Sequence, residues 1–364
     1  MGTCPIFWLI AVLDFVEAAE VTLLTMGPGD DMFSRFGHAA LCVTDESSPS
    51  GRCYNYGTAD FTTPVPLSWS VLRGRAEFWV SVTPMPRVLR SYERWDRSVY
   101  VQPLPLDAAS FEGLRGRLAT DALPDNRRYV YDHLTDNCAT RVRDHIDEAS
   151  GGALRRVDDP PGTLRALVEA GLGEPSLQAA SGVVLGRRLD RVPSSYEAMF
   201  LPDRLRAGVE QALGVPAVQV TSRRGPVHSA PPGSGGLAAV AVGGGLGAVA
   251  GGLSAWGGRR GRVAGALLLA LPGLVLWGLA ALSGVPELRL NEMCLWFVPL
   301  DLVLATARPR WVRAWLALRV VGLALCVVLA GFGVLVQPHA VAVAYAGLAL
   351  AGAAWGHGRV SQGG

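Results

Sequence analysis

Residues 131–141 read Tyr-Asp-His-Leu-Thr-Asp-Asn-Cys-Ala-Thr-Arg, and they are the most informative stretch of the chain. An Asp-Asn pair precedes Cys138, and a stretch compatible with a helix follows it. Asp136 or Asn137 would cap that helix, which places Cys138 in its first turn. There the backbone N–H groups, the positive end of the helix dipole and Arg141 one turn later would favour a thiolate. We therefore predict that Cys138 is a nucleophile; the alternative is a structural cysteine.

A thiol nucleophile needs a base, and His38 is the candidate that the sequence favours. It stands in residues 33–41, Phe-Ser-Arg-Phe-Gly-His-Ala-Ala-Leu, where it opens an apolar strand between a small residue on either side. His145 lies two helical turns beyond Cys138, which is too far for a direct pair. His133 would reach the thiol only if the chain folded back. The alternative for His38 is a structural histidine.

A third group should orient the imidazole of the base. Asn55 alternates with Cys53 and Gly57 on the strand after His38, so its side chain would lie on one side of the sheet, which could be the side of His38. We predict Asn55 for this role, with three rivals nearby: Asp60, Tyr54 and Tyr56.

Hydrophobic periodicity predicts a mixed α+β domain around these residues. The predicted strands are 21–25, 39–44, 52–56, 78–83 and 98–104. A helix is predicted over 106–121 with Asp107 as its cap, a helical region over 129–149 capped at Asp136, and a further helix over 163–170. Cys42 and Cys53 lie on neighbouring strands and would either form a disulfide in an oxidising compartment or remain buried thiols.

The remainder of the chain has the composition of a membrane protein. Hydrophobic residues make up 50% of the chain and charged residues 18%, and the apolar excess follows residue 237. Five spans of roughly 20 residues are predicted at 237–256, 263–283, 290–307, 314–336 and 340–355. The loops after the first and third spans hold Arg259, Arg260, Arg262, Arg308, Arg310 and Arg313. The positive-inside rule makes these loops cytoplasmic and leaves the α+β domain outside.

Four segments together resemble the Lnb N-terminal periplasmic domain family, whose namesake enzymes are bacterial lipoprotein N-acyltransferases. They are FSRFGHAAL at 33–41, YNYGTADF at 54–61, YVYDHLTDNCATRVRD at 129–144 and LGRRLDRVPSSYEAMFLP at 185–202. The resemblance covers roughly residues 21–205. It implies a permuted papain-like (NlpC/P60-like) domain with His38 as base and Cys138 as nucleophile. Asp136, Asn137, Arg141 and Tyr56 would then be supporting or substrate-binding residues.

The resulting domain plan begins with a signal peptide or anchor at 1–19 and an extracytoplasmic thiol domain at 20–221. A flexible Pro/Gly/Ser-rich linker at 222–236, five spans within 237–356 and a cytoplasmic tail at 357–364 follow. The implied function is transfer of an acyl chain from a phospholipid, through a Cys138 thioester, to the amino terminus of a lipoprotein. The expected location is the bacterial inner membrane, with the catalytic domain on the periplasmic side.

Two other functions remain open at this point. One is a thiol hydrolase acting on lipid esters or peptidoglycan peptides, and the other is a catalytically silent membrane scaffold. We expect no metal and no cofactor. The formal net charge of only +2 gives no reason to expect a nucleic acid partner.

Overall fold

The computed structural model describes residues 19–159, 162–306 and 308–362. The chain divides into two compact units, Met1–Pro161 with Pro193–Val227 and Gly162–Val192 with His228–Gly364. Apart from Ala19, the predicted signal or anchor at 1–19 lies outside the described residues. The domain boundaries drawn from the sequence remain a prediction.

A seven-stranded antiparallel sheet forms the centre of the first unit. The strands are β1 Glu20–Met26, β2 His38–Asp45, β3 Ser48–Thr58, β4 Glu77–Pro84, β5 Val99–Pro103, β6 Arg128–Val130 and β7 Val218–Thr221. Their order in the sheet is β6-β4-β3-β2-β1-β5-β7. The first five lie at the strands predicted from the sequence, so the mixed α+β class is confirmed.

The helices before the membrane region were only partly foreseen. They are α1 Pro64–Leu72, α2 Met85–Arg94, α3 Ala108–Asp121, α4 Cys138–Ala149, α5 Leu164–Leu172, α6 Pro175–Val184, α7 Ser195–Ala198 and α8 Pro202–Leu213. The caps of α3 and α5 are Asp107 and Thr163, close to the predicted starts. The predicted helical region over 129–149 is wrong in its first half. Arg128–Val130 pairs with β4 as a strand, and the helix begins only at Cys138.

Both faces of the sheet are covered by helices. On one face, β-strand residues such as Leu23, Leu41 and Tyr56 pack against helical residues that include Leu114 and Ile146. On the other face, a smaller cluster contains Met26, Ala40, Cys42, Cys53, Val88 and Tyr92. Successive residues of a strand point to opposite faces, which is why β1, β2 and β3 contribute to both clusters.

The second unit contains the apolar helices. Its elements after α6 are α9 Gly236–Trp256, α10 Gly258–Leu282, α11 Pro286–Arg289, α12 Met293–Trp296, a 3-10 helix Pro299–Ala305, α13 Pro309–Gly331 and α14 Ala340–Gln362. Within the described residues, four helices are long and apolar enough to cross a membrane: α9, α10, α13 and α14. The prediction of five helical spans is wrong at 290–307. That segment is broken into the short α12 and the 3-10 helix, which has Pro299 at its start.

Side chains from two neighbouring helices satisfy the backbone of this broken segment. Trp277 of α10 donates its indole N–H to the carbonyls of Cys294 and Phe297, at 3.0 and 3.2 Å. Arg319 of α13 donates to the carbonyl of Trp296 at 2.6 Å. Irregular backbone among apolar helices requires partners of this kind, because an unpaired carbonyl there is costly.

Candidate active site

Cys138 is the first residue of α4, and the cap of that helix is Asn137. The Asn137 side-chain oxygen accepts from the backbone N–H groups of Ala139 and Thr140, at 2.8 and 2.9 Å. Thr140 completes a capping box by accepting from the Asn137 N–H at 2.7 Å. Of the two cap candidates, the structure selects Asn137 over Asp136. The cap fixes Cys138 at the positive end of the helix.

Backbone N–H groups surround the sulfur of Cys138. The thiol accepts from the N–H of Ala39 and from that of Ala139. Ala39 lies beyond the paired part of the β2–β3 ladder, which begins at Leu41↔Tyr54. Burial nevertheless raises the pKa of Cys138, although these N–H groups and the charge of Arg97 act in the opposite direction. The resting sulfur is therefore a thiol, which needs a base before it can attack.

His38 begins β2, directly before the Ala39 that contacts the sulfur. Its side chain hydrogen-bonds to that of Asn55, which donates in turn to the carbonyl of Cys53 at 3.2 Å. The His38 ring stacks on Tyr92, with 6.3 Å between ring centroids. Burial, with a smaller contribution from Arg97, lowers the pKa of His38 to about 4. The imidazole is therefore neutral at physiological pH and able to accept a proton.

The structure thus brings His38 and Asn55 into contact and places Cys138 against the residue next to His38. Within the described residues, His38 and Cys138 are not joined by a direct hydrogen bond. Such bonds are often long in unliganded enzymes and tighten when substrate binds. A buried thiol and a neutral imidazole therefore both lie beside the start of β2.

Arg97 belongs to the same neighbourhood, although no sequence motif marks it. Its side chain is buried, with 6% exposure, and its Nε donates to the Gly27 carbonyl at 2.8 Å. The guanidinium lies over the ring of Tyr92, and its charge acts on both His38 and Cys138. Its Nη2 atom is buried with no hydrogen-bond partner in the described structure. Arg97 interacts with Gly27, Tyr92 and Cys138. These residues come from separate segments of the chain, so no local sequence pattern could place Arg97 at the site.

The predicted supporting residues lie around α4. Asp136 and Arg141 form an ion pair, with a 3.0 Å bond from Arg141 Nη2. The guanidinium of Arg141 also covers the ring of Tyr129, with Cζ 3.7 Å from the centroid. Tyr56 is fully buried, and its hydroxyl lies 2.7 Å from both Asp121 and the His145 ring. These contacts hold α4 against α3 and β3.

The two other histidines near Cys138 in sequence have different surroundings. His145 lies 3.0 Å from the carboxylate of Asp121, in the network with Tyr56. His133 packs edge-on against Tyr131, with 5.2 Å between centroids, and burial lowers its pKa. Across the described parts of the chain, His, Cys, Asp and Glu do not gather into any group of three that could hold a metal ion.

Cys42 and Cys53 form a disulfide between β2 and β3. The two residues are direct partners in the ladder. Persistent disulfides are typical of oxidising compartments outside the cytoplasm. Of the two alternatives for this pair, the structure therefore selects the one that suits an extracytoplasmic domain.

Residues 11–170 match the model of the Lnb N-terminal periplasmic domain family. The match covers less than half of the chain, and we call the part that carries it the Lnb domain. No curated protein and no solved structure matches the chain. The match contains His38, Asn55, Arg97 and Cys138. With the four apolar helices that follow, it makes the chain a membrane protein with an extracytoplasmic Lnb domain.

Proposed function

We propose that the Lnb domain is a thiol acyltransferase in which Cys138 is the nucleophile, His38 the base and Asn55 the residue that orients His38. The observation that carries the proposal is the position of the Cys138 sulfur. It lies at a capped helix start, receives two backbone N–H groups and touches the strand residue next to a neutral histidine. A thiol, a base and convergent N–H donors are the parts that acyl transfer requires.

The proposed donor is a phospholipid, and the first half-reaction forms a thioester. His38 takes the thiol proton while Cys138 attacks the ester carbonyl. Backbone N–H groups at the start of α4 stabilise the negative oxygen of the tetrahedral intermediate. The ester C–O bond then breaks, His38 returns the proton to the leaving oxygen, and a lysophospholipid departs.

The proposed acceptor is the amino-terminal amine of a lipoprotein. Its nitrogen attacks the thioester carbonyl, and His38 takes a proton from it. The carbon–sulfur bond breaks, an amide forms, and the proton returns to Cys138. Both partners are lipid-anchored, which suits a domain held in a membrane by apolar helices. This favours acyl transfer over a wall hydrolase, for which a single anchor would be enough.

The proposed location is the bacterial inner membrane, crossed several times, with the Lnb domain on the periplasmic side. Arg259, Arg260 and Arg262 lie at the start of α10, and Arg308, Arg310 and Arg313 lie around the start of α13. Both groups are cytoplasmic under the positive-inside rule only if residues 283–308 return across the membrane. The broken segment at 290–306 would make that crossing.

Complementation of a strain that lacks its own lipoprotein N-acyltransferase tests the proposal. Wild type and Cys138→Ala would be expressed, and the amino-terminal peptide of a reporter lipoprotein would be analysed by mass spectrometry. We expect an added acyl chain on the amine with wild type and a free amine with the variant. Cys326→Ala, which removes a cysteine of α13, is the matched control and should keep the modification. A free amine with an inserted wild-type protein contradicts the transferase and favours the hydrolase.

A further inference from the structure

Five large apolar side chains of the Lnb domain are exposed on two segments that meet. Met32 and Phe33 lie between β1 and β2, Phe61 follows β3, and Val65 and Trp69 lie on α1; their exposed fractions are 52, 43, 50, 78 and 58%. The rings of Phe33 and Phe61 are in edge contact, with centroids 5.3 Å apart. Val65 and Trp69 are four residues apart and so share one face of the helix. We call these five residues the apolar rim.

A row of aromatic rings leads from the apolar rim toward Cys138. Phe61 contacts Phe78, with centroids 6.4 Å apart, and Phe78 stacks on Tyr131 at 4.2 Å. Tyr131 and Cys138 both border Gly57, where a Cβ atom would lie 3.6 Å from the Tyr131 ring and 3.5 Å from Cys138 Cβ. The apolar rim is therefore connected to the surroundings of the thiol by ring contacts that pass through the buried Phe78.

A lipid bilayer is the occupant that these observations favour. Large exposed apolar patches mark contacts with membranes or partners, and aromatic side chains are enriched where proteins meet the lipid interface. The same chain carries four helices that are long and apolar enough to cross a membrane, and these would tether the domain to that membrane. A row of rings that ends at a thiol also suits a long hydrocarbon chain better than a polar peptide, because the rings offer dispersion contact and few hydrogen bonds.

We propose that the apolar rim contacts the bilayer surface and that an acyl chain of the lipid donor reaches Cys138 along Phe61, Phe78 and Tyr131. The second half of this inference rests on the proposed acyltransferase function. The first half, the bilayer contact, stands independently of it.

The bilayer contact is tested on the full chain in vesicles of phosphatidylethanolamine and phosphatidylglycerol. A fluorophore is attached to a single cysteine introduced by Phe33→Cys or Trp69→Cys, with the free cysteines replaced. Val218→Cys is the matched control, since Val218 is a similarly exposed apolar residue on β7, at the far edge of the sheet. Spin-labelled lipids should quench the probes at 33 and 69 several-fold more than the probe at 218. Equal quenching at all three positions, or none at 33 and 69, overturns the contact.

The path of the acyl chain is tested with a phospholipid that carries a photoreactive diazirine in its acyl chain. The Cys138→Ala variant is used, so that no turnover is needed, and the cross-linked peptides are mapped by mass spectrometry. We expect cross-links in the peptides that contain Phe61, Phe78 and Tyr131. Cross-links confined to the membrane helices overturn the path.

A double variant, Phe33→Ser with Trp69→Ser, links the surface to turnover. Acylation of the reporter lipoprotein should fall by roughly tenfold or more, because two large apolar side chains no longer enter the lipid. Unchanged acylation contradicts the inference while leaving the acyltransferase intact. Quenching and cross-linking as expected, with a reporter that stays unacylated by wild type, would instead retain the bilayer contact and reject the acyltransferase.

Discussion

The guanidinium of Arg97 lies over the ring of Tyr92, with Cζ 4.8 Å from the ring centroid. The same ring stacks on His38, so the Tyr92 ring contacts both the buried guanidinium and the proposed base. One nitrogen of this cation is buried without a hydrogen-bond partner in the described structure. The charge of Arg97 acts on Cys138, where it favours the thiolate over the thiol.

Replacing Arg97 with Gln should therefore make the thiolate of Cys138 harder to form. The midpoint of iodoacetamide alkylation against pH, followed on the Cys138 peptide by mass spectrometry, should rise by about one unit, which is a tenfold slower reaction below the midpoint. Arg97→Lys retains the charge and should stay near wild type. Arg94→Gln, an exposed charge loss three residues earlier, should have no effect. An unchanged midpoint in a folded Arg97→Gln protein would contradict this role.

The lowered pKa of His38 predicts a loss of stability in acid. The unfolded chain binds a proton at His38 near pH 6.5, whereas the folded chain binds it only near pH 4. Stability should thus be fully present above pH 6.5 and decline as the pH falls toward 4. In urea unfolding of the full chain in detergent, His38→Gln should flatten part of this decline.

Val218→Ala offers the control for this measurement. Val218 is an exposed residue of β7 that carries no titratable group, so its replacement should leave the acid-dependent decline as steep as in wild type. A His38→Gln protein with the full decline would show that the imidazole of His38 is protonated equally in the folded and unfolded chains.

Removal of the α4 cap should destabilise the domain. In Asn137→Ala, two helix N–H groups lose their acceptor, and the carbonyls of His133 and Phe200 lose a donor at 2.7 and 3.0 Å. Loss of a cap alone costs about 1 kcal/mol, and the loss of the donors to these two carbonyls should raise the cost in unfolding free energy to about 2 kcal/mol. Asn126→Ala, which removes one exposed bond to Thr120, should cost less than about 0.5 kcal/mol. Equal losses would refute the role of the cap.

Much of the α+β domain follows from local sequence. Short apolar runs identify β1 to β5, although β1 and β2 are buried on both faces and do not alternate. Asp107 and Thr163 give recognisable helix starts. The choice between Asp136 and Asn137 does not follow, since both residue types cap helices well. Backbone geometry decides it. Asn137 has the extended conformation of a cap, and Asp136 instead pairs with Arg141.

The candidate site was predictable only where its residues lie in motifs. Cys138 and His38 each follow recognisable local signals, and the alternation along β3 places Asn55. Arg97 depends on contacts that join β1, α2 and α4, and sequence spacing does not encode them. The break in the helix at 290–306 was not predicted for the same reason, because it depends on contacts between residues far apart in the sequence. Its composition is that of a span, but Trp277 and Arg319, distant in sequence, satisfy its backbone.

Asp301 and Arg319 form a buried ion pair in this region, with exposures of 0 and 5% and a 2.9 Å contact. Arg319→Met should lower the free energy of unfolding in detergent by about 3 to 5 kcal/mol, because it leaves a buried carboxylate without its cation. Arg319→Met with Asp301→Asn should recover part of this loss, since no net charge is then buried. Arg313→Met, an exposed charge loss on the same helix, is the control. If Arg319→Met loses no more unfolding free energy than Arg313→Met, the ion pair does not hold the broken segment in place.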